Sequence, residues 1–329
     1  MVLLRNLGLS SLTPSVLELF AAQGILTAED FVAHELHKVS AAAGQRSESS
    51  EFKEAVAELL SYLENRQGGW CNGFELSQKE VRYLPLGCES IDNLLRGGMQ
   101  EGTITELVGV SSTGKTQMCM QAAAHAAYKL RCSVIYIDTC GAFSAQRIAH
   151  MLGGMLGSLV QVEEQRDGLT LAMKSIQRRA YFDIFSVLAF LQDLHTTLQA
   201  CAEHSSLRLL IIDSISSVIS PVLGGNHSQG HALMISVGQI LKKLATTYKL
   251  AVLITNHTVA GDGGQPKPAL GGSWKSVPHT RLMLSHDSSN DVYTISSLKH
   301  TSLSCTKQAA FRVGRAGLDS VVGARRISE

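Results

Sequence analysis

The sequence predicts an α/β fold with a small all-helical domain in front of it, and the periodicity of the apolar residues indicates both parts. Over residues 1–66, apolar side chains recur only at helical spacing. Beyond about residue 83, short apolar runs alternate with helical patterns; the runs span 104–108, 134–137, 209–212, 251–255, 282–284 and 292–298. Strands separated by helices pair in parallel through crossover connections, so we expect a parallel sheet covered by helices.

These patterns divide the chain into three segments. Residues 1–66 form the predicted helical N-terminal domain. Residues 67–82, in which glycines on both sides of aromatic residues break any period, form a linker. Residues 83–329 form the predicted core domain, and a total of 329 residues is an ordinary length for two domains.

Composition and charge exclude several classes of protein. Hydrophobic residues make up 45% of the chain, too many for a disordered protein. The seven cysteines are odd in number and contain no Cys-x-x-Cys pair, which argues against a disulfide framework and a zinc knuckle. Because no long uninterrupted apolar segment is present, we expect no membrane partner. The net charge of +1 is too small for a protein that coats nucleic acid unaided.

The near-neutral total includes an acidic N-terminal part. Residues 1–70 carry five Lys and Arg side chains against nine Asp and Glu, a net charge of −4. Such a surface repels phosphate. We therefore interpret the N-terminal domain as a module that docks another protein.

A glycine-rich loop at residues 109–116, Gly-Val-Ser-Ser-Thr-Gly-Lys-Thr, lies directly between the first long strand and a helical run. Its glycines allow backbone N–H groups to face a phosphate at a helix N-terminus. Lys115 would reach the β- and γ-phosphates, and Thr116 would place its hydroxyl on Mg²⁺. The predicted nucleotide-binding residues are Gly109, Val110, Ser111, Ser112, Thr113, Gly114, Lys115, Thr116 and Gln117. The alternative is a glycine loop with an exposed lysine and no ligand.

A carboxylate for the metal is predicted at Asp213. It ends the apolar run at 209–212, and open α/β sheets bind their ligands at the carboxyl ends of strands. Asp213 and Thr116 are therefore the predicted Mg²⁺ ligands. The alternative is that Asp213 only caps the following helix.

Several further segments carry a resemblance to a known family. The run at 86–109, with a Leu-Leu-Arg-Gly-Gly turn, precedes the loop, and Tyr-Ile-Asp-Thr-x-Gly-x-Phe follows at 136–143. These segments resemble the core of the RecA-type recombinases. The runs at 219–225 and 267–278 are similar to the D-type paralogues among the eukaryotic members. The resemblance implies a RecA-like P-loop ATPase core, ATP and Mg²⁺ as cofactors, and homologous-recombination DNA repair in the nucleus with some protein in the cytoplasm.

Two positions depart from the family pattern. Where active recombinases have the Glu that polarises the attacking water, this chain has Cys140, and a thiol of ordinary pKa is mostly protonated at neutral pH. Where the family has Gln after an Asn, this chain has His257, which could still sense the γ-phosphate. We expect tight nucleotide binding and at most slow, DNA-stimulated hydrolysis, with no confident catalytic residue. A nucleophilic role for Cys140 is disfavoured because no base adjoins it in sequence.

The resemblance also places DNA and partner contacts. The two loops that bind single strands in recombinases would run over 216–230 and 259–272. The only positively charged side chain in these two loops is Lys267, and Lys275 lies just beyond the second loop. We therefore expect the chain alone to bind single-stranded or branched DNA weakly. Phe74, in a sequence similar to the family's Phe-x-x-Ala hook, could add a strand to a neighbouring subunit, and Trp70 is a competing anchor. Ordinary linker packing is the alternative.

The function that fits best is an ATP-binding accessory subunit of a hetero-oligomer of recombinase paralogues. It would contact one paralogue through the N-terminal domain and another through the core, and would promote recombinase filaments on single-stranded DNA. A strand-exchanging recombinase and an unrelated P-loop kinase are the alternatives. The kinase would need an arginine-rich lid, which the sequence lacks.

Overall fold

The computed structural model describes residues 3–33, 50–66, 72–78, 80–156, 162–200, 205–224, 228–261, 264, 266–301 and 307–321. The chain forms two compact units, Met1–Glu80 and Val81–Glu329, which are described separately. Within the described ranges, no helix is both long and apolar enough to cross a membrane.

The N-terminal unit is a cluster of helices around an aromatic core. Its helices are α1 (Pro14–Ala22), α2 (Ala28–Ala33), α3 (Ser50–Arg66) and α4 (Gly73–Gln78), after a 3₁₀ turn at Leu4–Asn6. Phe20 packs edge-on against Phe31, with ring centroids 5.7 Å apart, and contacts Phe52 with the two rings tilted and their centroids 5.5 Å apart. Helix α2 begins at a reciprocal cap: Asp30 N–H donates to Thr27 Oγ1, and Thr27 N–H donates to the Asp30 carboxylate.

The core unit is built on a nine-stranded sheet in the order β13-β12-β11-β10-β3-β7-β6-β4-β5. Its strands are β3 (Ile104–Val108), β4 (Ser133–Asp138), β5 (Ile176–Ala180), β6 (Leu207–Asp213), β7 (Ala251–Asn256), β10 (Thr280–Asp287), β11 (Val292–Lys299), β12 (Gln308–Gly314) and β13 (Gly317–Ser320). Two small ribbons flank the sheet, namely β1 (Tyr83–Leu84) with β2 (Met99–Gln100), and β8 (Thr258–Ala260) with β9 (Pro266–Pro268).

Helices cover both faces of this sheet. They are α5 (Glu89–Leu94), α6 (Lys115–Lys129), α7 (Ala145–Leu156), α8 (Val162–Lys174), α9 (Ile184–Ala200), α10 (Ile215–Leu223), α11 (Ser228–Tyr248) and α12 (Gly271–Lys275). Strand β6 shows how the sheet divides two cores, because Leu209 and Ile211 pack with α6 and α7, whereas Leu210 and Ile212 pack with α9 and α11. A strand that is buried on both faces is apolar throughout, which explains the continuous runs in the sequence.

The sheet differs from the sequence expectation in two places. Strand β11 was expected to be parallel, but it pairs antiparallel with β10 because the turn between them is too short for a crossover helix, and β12 and β13 continue the antiparallel pairing. Strand β5 was not predicted because its sequence, Ile-Gln-Arg-Arg-Ala, is polar and largely exposed at the edge of the sheet. The six strands from β10 to β5 are parallel, which confirms the expectation for the five of them that were predicted, β10, β3, β7, β6 and β4.

The backbone at Gly98, just before β2, lies close to the backbone at the end of β1, and a substitution at Gly98 tests this contact. It has φ +117°, and a Cβ there would lie 2.6 Å from the Cα of Pro85. We expect Gly98→Ala to lower the free energy of unfolding by roughly 2 kcal/mol more than Gly102→Ala. Gly102 is a matched control, because its φ is +80° and its nearest neighbour would be 3.9 Å away. Equal shifts of the thermal unfolding midpoint would contradict this packing.

Candidate functional site

The glycine-rich loop lies between β3 and α6, and its backbone requires glycine at two positions. A Cβ on Gly109 would lie 2.5 Å from Thr113 Oγ1 and 2.8 Å from the Leu284 carbonyl oxygen. Gly114, directly before α6, has φ +85°. The loop therefore presents the first free N–H groups of α6 to the carboxyl edge of the sheet, where the positive end of a helix suits an anion.

The Lys115 ammonium group is folded back onto this loop. Its Nζ donates to the carbonyl oxygens of Gly109 and Val110, each at 2.7 Å. Burial lowers the pKa of Lys115, although the charges of Asp213, Cys119 and Cys140 oppose that shift. A phosphate bound at the loop would compete with these two carbonyl oxygens for the ammonium group. Without it, the carbonyls keep the Lys115 side chain next to the predicted phosphate site.

An open cleft of ≈ 380 Å³ gathers most of the predicted site residues. It is lined by Ser111, Ser112, Thr113, Gly114, Lys115, Thr116, Gln117, Cys140, Asp213, Ser214, Thr255, His257 and Tyr293. The structure therefore brings the loop together with Asp213, Cys140 and His257, which the sequence analysis singled out one by one. Gln117 is oriented by Arg147, whose Nε donates to its Oε1 at 2.7 Å.

Asp213 lies at the end of β6 with its carboxylate buried in a hydrogen-bond pair. Thr255 Oγ1 donates to Oδ1 at 2.5 Å, and Tyr136 OH donates to Oδ2 at 2.9 Å. Each oxygen keeps a further lone pair for a metal or a metal-bound water. Across the described ranges, no three His, Cys, Asp or Glu side chains form a metal cluster. Asp213 and Thr116 both line the cleft and could hold Mg²⁺ through a carboxylate and a hydroxyl oxygen, with phosphate and water oxygens completing the coordination.

Cys140 differs from the expectation that its thiol is mostly protonated. A hydrogen bond from His257 is the largest influence, and with further bonds from Ser217, Thr139 and the Ser214 amide it outweighs burial and lowers the pKa of Cys140 to about 6. The sequence could not show this because Cys140 and His257 follow different strands, β4 and β7.

The turn that carries Cys140 is fixed by Asp138 at the end of β4. The Asp138 carboxylate accepts hydrogen bonds from Arg178, at 2.7 Å, and from the backbone amides of Cys140, Ala142 and Phe143. Burial alone would raise the pKa of Asp138, but these bonds lower it below its ordinary value. Cys140 therefore sits on a rigid turn.

Sequence reasoning missed the buried carboxylate of Glu106 in the central strand β3. Its Oε1 accepts hydrogen bonds from Asn256 Nδ2 at 2.9 Å and from Trp274 Nε1 at 2.8 Å, and its Oε2 pairs with Arg281. Glu106 is fully buried. A charged residue inside the apolar run 104–108 was the available signal. The pairing ties the end of β7, one residue before His257, to α12 and β10.

The predicted DNA-binding residues, Lys267 and Lys275, are not among the residues that line the cleft. Lys267 is exposed in β9, and Lys275 is exposed at the end of α12. Phe74 is 74% exposed in the short helix α4, not in an extended segment, and Ser77 Oγ donates to its carbonyl oxygen at 2.7 Å. Trp70 lies outside the described residues, as do parts of both predicted DNA loops.

The Glu106 pairing predicts a large effect of charge removal. Glu106→Gln keeps the shape but leaves the buried Arg281 guanidinium without its counter-charge, so we expect it to lower the free energy of unfolding by ~3–5 kcal/mol. Asp291→Asn is the control, because that carboxylate pairs with His286 at the surface and is worth at most about 1 kcal/mol. Thermal unfolding of the full chain measures both. Similar small shifts would mean that Glu106 does not carry the pairing.

Comparison with known proteins agrees with this architecture. The Rad51 family model matches residues 77–295. The DNA repair protein RAD51 homolog 4 of Bos taurus is 37% identical over 279 residues, covering 83% of this chain and 82% of that protein. The protein of the same name from Mus musculus is 35% identical, with 83% and 81% covered.

A solved structure shares the fold. The crystal structure of the RadB recombinase superposes with a TM-score of 0.60 at 21% identity, covering 72% of this chain and 99% of that one. This likeness extends the RecA-like fold to the core unit described above. With the family model spanning most of the core and relatives above 30% identity along most of the sequence, the chain belongs to the Rad51 family.

Proposed function

We propose that this chain is an ATP-binding accessory subunit of a complex of recombinase paralogues. It would act in homologous-recombination repair of double-strand breaks and stalled forks by promoting recombinase filaments on single-stranded DNA. The similar proteins named as DNA repair proteins support the process. The convergence of the glycine-rich loop, Thr116 and Asp213 on one cleft is the observation that carries the nucleotide role.

The residues present fit Mg-ATP. The loop has no room for a side chain at Gly109, and the Lys115 ammonium group lies against the loop carbonyls at the start of α6. Thr116 and Asp213 supply the hard oxygen ligands that Mg²⁺ prefers. When bound, Mg²⁺ neutralises phosphate charge. Residues 109–117 would hold the phosphates, with Lys115 as the cation that leaves its carbonyl partners for them.

Slow hydrolysis is expected from the residue at position 140. A Glu carboxylate reaches further into the cleft than the Cys140 sulfur does, and sulfur is only a weak hydrogen-bond acceptor. It is therefore poorly placed to orient an attacking water. His257, on the cleft wall, remains the candidate sensor of the γ-phosphate.

Partners and DNA follow from the charge distribution. The N-terminal part carries a net −4, which favours a protein partner over nucleic acid. We propose one paralogue there and another at the core, with Phe74 exposed and available as an anchor. Lys267 and Lys275 would add a weak contact to single-stranded or branched DNA. Such a complex acts in the nucleus, with some protein in the cytoplasm.

Lys115→Ala tests the nucleotide role. We expect it to weaken binding of a fluorescent ATP analogue by roughly 30-fold or more, because loss of a charge that pairs with phosphate costs ~2–5 kcal/mol. Lys129→Ala, at the other end of α6, is the matched control. Co-purification with another Rad51 paralogue should weaken in parallel with nucleotide binding. Unchanged nucleotide affinity would contradict the proposal, and ATP-driven strand exchange by the pure wild-type chain would favour the recombinase alternative.

Cys140→Glu tests the origin of slow hydrolysis. A carboxylate at this position would reach the water, so we expect ATP turnover to rise about tenfold or more. Cys140→Gln is the control, because a glutamine side chain has the length of glutamate without its charge, and we expect this variant to leave ATP turnover low. Equal turnover in the two variants, measured as phosphate release with and without single-stranded DNA, would show that the missing carboxylate is not what limits the reaction.

A further inference from the structure

A second open cavity, of ≈ 140 Å³, lies between α11 and α12 and shares no lining residue with the nucleotide cleft. Its wall is largely apolar. Met234, Trp274 and Val277 line it as buried side chains, whereas Ile235 lines it with 49% of its surface exposed. A cavity of about this volume has room for one small ring or one branched aliphatic side chain.

Lysines from two elements converge on the turn beside this cavity. Lys242 of α11, which also lines the cavity, donates from its Nζ to the Ser276 carbonyl oxygen at 3.0 Å. Lys299, at the end of β11, donates from its Nζ to the carbonyl oxygens of Lys275 at 3.1 Å and Pro278 at 2.5 Å. Both ammonium groups are thus held at one short turn, and the exposed side chain of Lys275 brings a third positive charge to it.

Capping of α12 explains only part of this arrangement. One ammonium group at the last carbonyls suits the negative end of a helix. Lys299, however, lies directly opposite Arg281 in the ladder of β10 and β11, and like charges in such a pair are destabilising. Burial lowers the pKa of Lys299, and the neighbouring positive charges, with Arg281 first among them, lower it further. An anion bound among the lysines would relieve this repulsion.

The segments that form this surface carry no carboxylate of their own. Residues 228–248, 266–286 and 292–301 contain no Asp or Glu. Over residues 214–318 there are ten Lys and Arg against three Asp and Glu, a net charge of +7 in a chain whose total is +1. The Glu106 carboxylate, whose charge Lys299 also experiences, is buried and already paired with Arg281. Within these segments the lysines are therefore left without a counter-charge.

We propose that this lysine-rimmed cavity, the cavity between α11 and α12 together with Lys242, Lys275 and Lys299, docks an acidic segment of a partner protein that inserts one apolar side chain.

The two halves of the surface have separate roles in such a contact. The apolar side chain of the partner would fill the cavity next to Ile235, and burial of that side chain supplies most of the affinity. Asp or Glu residues on either side of it would pair with the lysines. Charges at the rim of an interface mainly set the orientation and the rate of association.

A nucleic acid is the other polyanion that lysines attract, but it does not match the cavity. Single-stranded nucleic acid needs exposed aromatic rings on which its bases can stack. Trp274 is fully buried, and its Nε1 donates to Glu106, so its ring offers no such platform. A phosphodiester backbone would use the lysines and leave the apolar cavity empty. The combination of cavity and charge therefore favours a protein.

This contact does not require a bound nucleotide or a particular partner. If the partner is another Rad51 paralogue, the lysine-rimmed cavity would be the core contact of the proposed function, and only that consequence rests on the proposed function. The surface and its consequence are therefore measured separately.

The first experiment selects a display library of random short peptides on the full chain. We expect the enriched peptides to carry one large apolar residue flanked by several Asp or Glu. Binding of an enriched peptide, followed by fluorescence anisotropy, should weaken roughly tenfold in the double variant Lys242→Ala and Lys299→Ala, because two partly exposed ion pairs are lost. Raised salt should weaken binding to the wild type in the same direction.

Three controls accompany this measurement. Lys129→Ala removes an exposed lysine of α6, which packs on the other face of the sheet, and should leave peptide binding unchanged. Serine in place of the apolar residue of the peptide should weaken binding roughly tenfold or more. Thermal unfolding checks that the double variant is folded, and the salt dependence of the wild type gives the same information if it is not.

Three results would overturn the proposal. The first is a selection that enriches no acidic peptide. The second is binding of an acidic peptide that neither the double variant nor raised salt weakens. The third is a double variant that loses affinity for a single- or double-stranded oligonucleotide while no acidic peptide is selected, which would make the surface a nucleic-acid contact.

The second experiment measures co-purification of the full chain with another Rad51 paralogue. Charge reversal by Lys242→Glu and Lys299→Glu should weaken it at least tenfold, because acidic side chains of the partner would then meet like charge. If the wild type co-purifies with no paralogue, the proposed function fails while the peptide selection still decides the surface. If the wild type co-purifies and the charge-reversed chain does so equally well, a paralogue contact at the lysine-rimmed cavity is refuted.

Discussion

The parallel alignment of the central strands is the constraint on which the cleft depends. Hydrogen-bond register pairs Val108 with Asn256 and Asp138 with Asp213, so the ends of β3, β7, β4 and β6 lie along one edge. Residues that are far apart in the sequence therefore lie together at this edge because of the strand register, without needing direct contacts with one another. Because each central strand is buried on both faces, a one-residue slip would exchange its two core faces, and the packing of both helical layers fixes the register against it.

Beneath this edge, Glu106 adds an electrostatic constraint to the backbone ladder. Its carboxylate joins Asn256, Trp274 and Arg281, which belong to three separate segments that follow one another in the chain. The pairing is isolated from water, so its strength depends on both charges being present. The position of His257, one residue beyond Asn256, is thereby linked to α12 and to the strand on the other side of β3.

A feature could be predicted from the sequence when the residues that produce it are neighbours in the chain. The phosphate loop was predictable because its glycines, its lysine and its flanking strand and helix are contiguous. The apolar runs placed the buried strands, whereas the polar edge strand β5 has no such signal and the antiparallel extension depends on a short turn. The contacts of Lys115 with two loop carbonyls and the meeting of Cys140 and His257 in one cleft arise from the folded chain, and no spacing rule contains them. The helical state of α4 around Phe74 is likewise a property of the folded chain.

The two departures from the family pattern form one unit. Considered separately, Cys140 stands where the family pattern has a carboxylate, and His257 stands where it has an amide. Each difference by itself suggests a weaker ATPase site. In the structure, both side chains line the same cleft, and His257 is the largest of the influences that lower the pKa of Cys140. The reach that lets a carboxylate orient an attacking water is lost at this position. The altered pair is consistent with the slow nucleotide turnover proposed above. Replacing either residue alone disturbs a shared hydrogen bond, so their effects will not add.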